Sequence, residues 1–247
     1  MAGFDKNKDQ SYFLCQLSQQ QLAKALFPIG HLNKPEVRKI AEEQNLITAN
    51  KKDSQGLCFI GKVHLPEFLQ QKLKAKEGNI IEIPKESPLY KNPVGDDLKE
   101  ITAPFVHKAE DGKVVGKHNG AHFFTIGQRK GLGVGGKIEP LFVIATDVVN
   151  NIVYTGQGHD HPGLNRKGIF ISKDEVHWTR NDLKMLPGEK REYLSRIRYR
   201  QALSPATLSM RDEGLYIVFH EDQRGVASGQ FAAWYDGEES IGSGVIG

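Results

Sequence analysis

The stretch LFVIATDVVNNIVYTG, residues 141–156, decides how this chain is read. Two runs rich in β-branched and aromatic residues, LFVIATDV and NIVYTG, flank the polar pair Asn150 and Asn151. Branched and aromatic side chains pack well on a pleated surface, so such runs favour strands. An Asn pair favours the turn between them, because Asn tolerates left-handed backbone. The spacing predicts an antiparallel hairpin. The same grammar extends outwards. Upstream, NIIEIP (79–84) and HFFTIG (122–127) read as strands; downstream come GIFISK (168–173), YLSRIRYRQ (193–201), ATLSMR (206–211), LYIVFH (215–220), QFAAWY (230–235) and SIGSGVIG (240–247). Turn signals such as DEG and DGEE separate several of them. Many short strands with regular turns predict small barrels. Residues 92–112 are polar and irregular, a loop excursion, and GHDHPGLNR (158–166) reads as a solvated linker.

The first third has a different period. Ser18 and Gln21 stand at capping-box spacing, with Leu17 and Leu22 placed for a hydrophobic staple, and predict a helix over 19–26 that Pro28 and Gly30 end. In LNKPEVRKIAEEQN, Asn33 and Glu36 repeat the box, Leu32 and Val37 repeat the staple, and Asn45 is the expected stop. LPEFLQQKL (65–73) predicts one more short helix. The expected class is therefore α+β, mostly β: a helical segment, then a small β domain, then a C-terminal β-barrel.

Composition narrows the function classes. The chain has 247 residues and a formal net charge of +3, which permits an anionic partner without requiring one. Two cysteines, Cys15 and Cys58, cannot form a disulfide scaffold, and free thiols suit a reducing cytoplasm. The opening MAGFDKNKDQ is too polar for a signal peptide, and no apolar run approaches the roughly 20 residues of a membrane span. A cytoplasmic protein with no membrane partner is expected.

Several motifs carry chemistry or imitate it. GLGVGGKI (131–138) matches a dinucleotide glycine pattern and most of a phosphate loop, but both need a following helix, and Pro140 and a strand follow instead. Nucleotide binding is not expected there; a basic loop carrying Arg129 and Lys130 is. His159 and His161 lack any matching zinc-site spacing, so no metal site is expected. If YLSRIRYRQ is one strand, Arg196, Arg198 and Arg200 share a face. That face is either solvated barrel surface or a stripe that tracks phosphates. Cys58, in KKDSQGLCFIG (51–61), is either a small buried hydrophobe or a thiolate favoured by Lys51, Lys52 and Lys62. Cys15, in YFLCQL, reads as packing.

NKDQSYFL (7–14), KKDSQGLCFIG, FTIGQRKGLG (124–133), RYRQ (198–201) and SGQFAAWYDGEESIGSGVIG (228–247) occur in this order. Together they resemble the bacterial tRNA-specific 2-thiouridylases, over nearly the whole chain. The resemblance implies an enzyme that thiolates the wobble uridine of certain tRNAs: ATP adenylates the uridine C2 oxygen, and a cysteine persulfide delivers sulfur. It implies that Cys58 carries the persulfide, that Lys8, Asp9 and Gln10 contact tRNA near the active site, and that Arg198, Tyr199 and Gln230 contact it from the barrel. It implies an upstream persulfide sulfur donor protein as partner and a monomer. The family's SGGxDS loop, which uses ATP and Mg, and its first catalytic cysteine, which forms a disulfide, have no counterpart here. The chain is thus expected to bind no cofactor itself and to be inactive in isolation. Residues 1–66 are expected to be the end of a catalytic domain, 67–160 a central β domain and 161–247 a tRNA-binding barrel. The residues by themselves leave open an RNA-binding barrel without chemistry, or a thiol enzyme of rhodanese type that needs no ATP.

Overall fold

A computed structural model describes residues 1–51, 61, 68, 72–91 and 95–247. By packing, the chain divides into two compact units. One comprises Met1–Ser54, Ile169–Glu221 and Ser228–Gly247; the other comprises Gln55–Gly168 and Asp222–Ala227.

The second unit is built on a four-stranded sheet. Its strands are β1 (Gly78–Glu82), β2 (Lys113–His118), β3 (Leu141–Asp147) and β4 (Ile152–Gln157), in the order β2-β1-β4-β3. β3 and β4 form the expected antiparallel hairpin, and β1 pairs with β4 in parallel. Alternation along the strands buries both faces. Ile80, Val143 and Val153 pack with Ala121, Leu132 and Leu141 on one side; Ile81, Phe142, Ile144 and Tyr154 pack with Ile83 and Leu164 on the other. At the hairpin, Asn151 takes a φ of 57°. Its side chain accepts from Ala121 N and donates to the carbonyls of Lys76 and Glu77, each at 2.9 Å, so a turn residue also ties down the chain entering β1.

The first unit carries most of a curled, half-barrel sheet. Its strands are β5 (Asn165–Ser172), β6 (Val176–Trp178), β7 (Lys190–Arg196), β8 (Ser204–Met210), β9 (Gly214–Arg224), β10 (Phe231–Asp236) and β11 (Glu239–Val245), ordered β5-β9-β8-β7-β10-β11-β6. Trp234, Phe219, Leu208 and Ile217 are fully buried, and Trp178 meets Trp234 edge to face at 5.3 Å. Two helices belong to this unit. α1 (Gln19–Leu22) keeps the expected capping box: Gln21 N donates to Ser18 Oγ at 3.3 Å, and Ser18 N donates to Gln21 Oε1 at 2.9 Å. It stops four residues earlier than expected, because Lys24 and Ala25 turn back onto carbonyls three residues before them. α2 (Lys34–Glu43) begins where Asn33 N donates to Glu36 Oε2 and ends before Asn45, at a φ of 54°.

Four expectations are corrected. HFFTIG is not a strand: Gly120, at a φ of 141°, turns the chain into a single 3-10 turn, Ala121–Phe123. The 92–112 excursion holds α3 (Leu98–Thr102) and a 3-10 turn at Ala109–Asp111. GHDHPGLNR is not a solvated linker. His161 is fully buried, its Nδ1 accepts from Gly163 N at 3.1 Å and its Nε2 lies 3.1 Å from Ile83 O. A Cβ on Gly156 would come within 2.4 Å of that ring, so β4 needs glycine there. Finally, β7 ends at Arg196, and residues 197–201 form a turn closed by Gln201, whose side chain accepts from Ile197 N at 2.9 Å. Arg196, Arg198 and Arg200 therefore do not share a strand face. The helix expected over 65–73 lies largely outside the described residues.

Burial lowers the proton affinity of His107, His118 and His161 in the second unit, taking His107 from 6.5 to about 4. A depressed histidine leaves the unfolded chain binding more protons, so the contribution is complete above about pH 6.5 and falls away towards His107's value near 4. The urea midpoint for this unit is expected to drop between pH 7.5 and pH 5. The drop should shrink in His107→Phe, which keeps the ring's stacking on Tyr154 and removes the titration. A pH-independent midpoint in the parent protein would contradict this.

Candidate functional site

The N-terminal segment lies along the barrel strands of its own unit, and one ion pair organises the contact. Arg196 Nη2 is 2.6 Å from Asp9 Oδ2, and the two side chains are only 6% and 4% exposed. The carboxylate is saturated. Its Oδ1 accepts from Gly3 N at 3.0 Å and Ser11 N at 2.9 Å, and its Oδ2 also accepts from Ser11 Oγ at 2.9 Å. The guanidinium also donates to Ser11 Oγ at 2.7 Å and to Tyr235 OH at 2.8 Å, and its carbon stands 4.9 Å from the Tyr235 ring centre and 5.8 Å from that of Tyr12. Burial pushes the Asp9 carboxyl up, but the Gly3 and Ser11 amides and Arg196 outweigh it and hold it below its ordinary value. Burial, with Cys15 beside it, pushes the Tyr12 phenol up to about 12.

Beside Asp9 opens a cleft of about 840 Å³. Phe4, Leu22, Leu26 and Phe27 give it apolar walls, and Lys8, Asp9, Gln10, Tyr199 and Arg200 also line it. Gln10 Nε2 donates to Tyr199 OH at 3.1 Å across 189 positions of sequence. Arg200, at a φ of 63°, sets its guanidinium 5.2 Å from the Tyr199 ring centre. The geometry offers an exposed Arg200, a half-buried Lys8 and an aromatic face beside an apolar hollow, a combination suited to a planar ligand carrying negative charge.

The structure thus brings Lys8, Asp9, Gln10 and Tyr199 to one cleft. Arg198 and Gln230 do not line it. Arg198 is half-buried in the turn after β7. Gln230 precedes β10, where its carbonyl accepts from Ile246 N at 2.8 Å; its side-chain Oε1 is buried without a partner among the described residues. Cys58 lies outside the described residues. Cys15 is buried against Ala233 and Tyr235, as packing, with its thiol pushed up by burial. Sequence reasoning placed Arg196 on an exposed face and singled out neither Ser11 nor Tyr235. No local signal marks a contact that spans 187 positions.

Lys137 of the glycine loop pairs with Glu82, and that loop runs into β3, with no helix N-terminus to receive phosphate. Among the described residues, no group of three His, Cys, Asp or Glu could hold a metal ion, and no helix is long and apolar enough to cross a membrane.

Comparison with known proteins defines the class. Residues 1–62 match the tRNA methyl transferase HUP domain, 94–157 the tRNA methyl transferase PRC-barrel domain and 169–246 the aminomethyltransferase β-barrel domain. The chain belongs to the family that these three domains make up, as a partial-length member. Among its relatives are proteins named tRNA-specific 2-thiouridylase MnmA from Christiangramia forsetii, 59% identical over 253 residues, and Flavobacterium johnsoniae, 59% identical over 252. A third, from Karelsulcia muelleri, is 50% identical over 246 residues. Each alignment covers the whole of this chain but only 63–64% of the relative.

Removing one partner of a buried ion pair strands the other charge, at a cost of about 3–5 kcal/mol. Asp9→Ala is expected to destabilise the first unit by that amount at pH 7, measured by urea denaturation. A depressed carboxylate contributes above its unfolded value near 3.8 and ceases to as pH falls through its lower folded value, so the gap between variant and parent should close only in strong acid. A gap below about 1 kcal/mol, the range of exposed pairs, would contradict the assignment.

Proposed function

We propose that this chain holds the substrate and carries the sulfur in a tRNA 2-thiouridylase, a sulfurtransferase acting on the wobble uridine. The observation that carries the reading is the cleft where Lys8, Gln10, Tyr199 and Arg200 meet, drawn from segments nearly 190 positions apart. Two cations can neutralise phosphates, and the Tyr199 ring and apolar walls can take the face of a base. The thiouridylase names of the relatives support sulfur as the group transferred, although two of the matched domains bear a methyl transferase name. In this reading Cys58 takes a persulfide from an upstream sulfur donor protein. Adenylation by ATP with Mg belongs to a part of the longer enzyme that this chain does not hold, so the chain alone binds tRNA but completes no thiolation. Arg198 and Gln230 contact tRNA outside the cleft. The three functional parts remain 1–66, 67–160 and 161–247, in a cytoplasmic monomer.

Two measurements test it. In filter binding across a salt series, Arg200→Ala and Lys8→Ala should each weaken tRNA binding and reduce the slope of log affinity against log salt by about 0.7–0.9, one phosphate contact each. Lys167→Ala, a cation paired with Asp222 in the other unit, should not. Equal slopes in all three variants would defeat the reading. For sulfur, the parent protein treated with a persulfide donor should gain one sulfur at Cys58 by peptide mass spectrometry, and Cys58→Ser should gain none. Labelling of Cys15 at the same rate would remove Cys58 from its role.

A further inference from the structure

We propose that Arg196 and Asp9 are positioning residues for RNA: together they form a buried latch that presets the two separate segments carrying the ligand-facing groups. The inference rests on the tRNA-binding reading of the cleft and departs from the family resemblance at Asp9, which the resemblance counts as a direct contact. Three observations carry it. First, both side chains are withdrawn from solvent, and every oxygen of Asp9 already has a protein partner, so little of either is left for a ligand. Second, the neighbours of Asp9 in sequence, Lys8 and Gln10, line the cleft, while Arg196 stands three residues before Tyr199. Third, Gln10 and Tyr199 are joined directly at 3.1 Å, so the two ends of the latch share one polar contact at the ligand's side.

The carboxylate gathers residues 3–11 through two backbone amides and the Ser11 hydroxyl. The guanidinium fastens that loop to β7 and, through Tyr235, to β10. Arginine suits the post because its planar fork reaches several acceptors while lying against aromatic rings, which an ammonium group cannot reproduce. Without the latch, RNA would have to order the 3–11 segment and the 197–201 turn on binding, and affinity would fall while the number of phosphates contacted stayed the same.

The test combines amide hydrogen exchange with tRNA filter binding over a salt series, at a temperature where parent, Arg196→Gln and Arg196→Lys are all folded. In Arg196→Gln, the Gly3 and Ser11 amides should exchange faster while those of β8 and β9 keep their protection. Its tRNA affinity should fall about tenfold, the ordering cost of one or two side chains, with an unchanged salt slope. Arg196→Lys should recover part of both effects, and Lys8→Ala should cost less in the Arg196→Gln background than in the parent. A slope reduced by about 0.7–0.9 in Arg196→Gln would make Arg196 a direct phosphate contact and overturn the proposal. Unchanged Gly3 and Ser11 protection would overturn it too, and lost protection with unchanged affinity would leave a purely stabilising pair. If the parent binds no tRNA, the RNA reading fails and takes the positioning role with it, while the exchange data alone still show whether the clamp exists.

Discussion

The ion pair between Arg196 and Asp9 is the constraint on which the first unit depends. It joins the last residue of β7 to a loop 187 positions earlier, and it does so with almost no solvent to screen it. A pair this deep is costly to desolvate and is tolerated only when its remaining donors and acceptors are met. Here Gly3, Ser11 and Tyr235 meet them. Around it, Tyr12 OH lies 2.9–3.0 Å from two backbone carbonyls, those of Ile197 and Phe231, and Ser243 Oγ donates to Cys15 O at 2.8 Å. The N-terminal segment therefore packs as part of the barrel unit.

The second unit solves a different problem. Its sheet is covered on both faces, so polar groups that reach the interior need internal partners. Asn151 and His161 show how this is done. Each sits at a turn, each uses its side chain to meet backbone groups distant in sequence, and His161 does so in the neutral Nε2–H form. Burial of His107 and His161, which disfavours the charged ring, makes acid a condition that loosens this unit.

The parts of the fold legible in the sequence are those whose causes are local. The branched and aromatic runs in 141–156 gave the expected hairpin, with its turn at 148–151, and the Ser18 box and the Asn45 stop fell where their side-chain chemistry requires. HFFTIG failed because Gly120 and the Asn151 side-chain Oδ1, 30 residues away, fix a turn that composition does not reveal. GHDHPGLNR failed because polarity was read as exposure, whereas the His161 ring fills the space that Gly156 leaves open. The arginine alternation failed for a subtler reason. Alternation assigns faces only while the strand lasts, and here the strand stops at the first arginine. Of the candidate site, the family resemblance supplied Lys8, Gln10 and Tyr199, but their meeting at one cleft is a tertiary fact.

That stop at Arg196 changes the electrostatics of the cleft. Three arginines on one face would present a dense positive stripe. Instead Arg196 is cancelled by Asp9, and the pair is neutral when seen from outside. The field an anion meets comes from the exposed Arg200 and the half-buried Lys8 and Lys34, against Asp5, whose carboxylate is occupied by the Asn7 and Lys34 amides. This is a modest charge, in keeping with a net of only +3 for the chain. Non-specific attraction to polyanions is then weak, because that term grows with each phosphate neutralised. In the proposed reading, recognition rests more heavily on shape: on Tyr199 held by Gln10, on Arg200 against the Tyr199 ring, and on apolar walls that receive a base only if the two segments already stand in register.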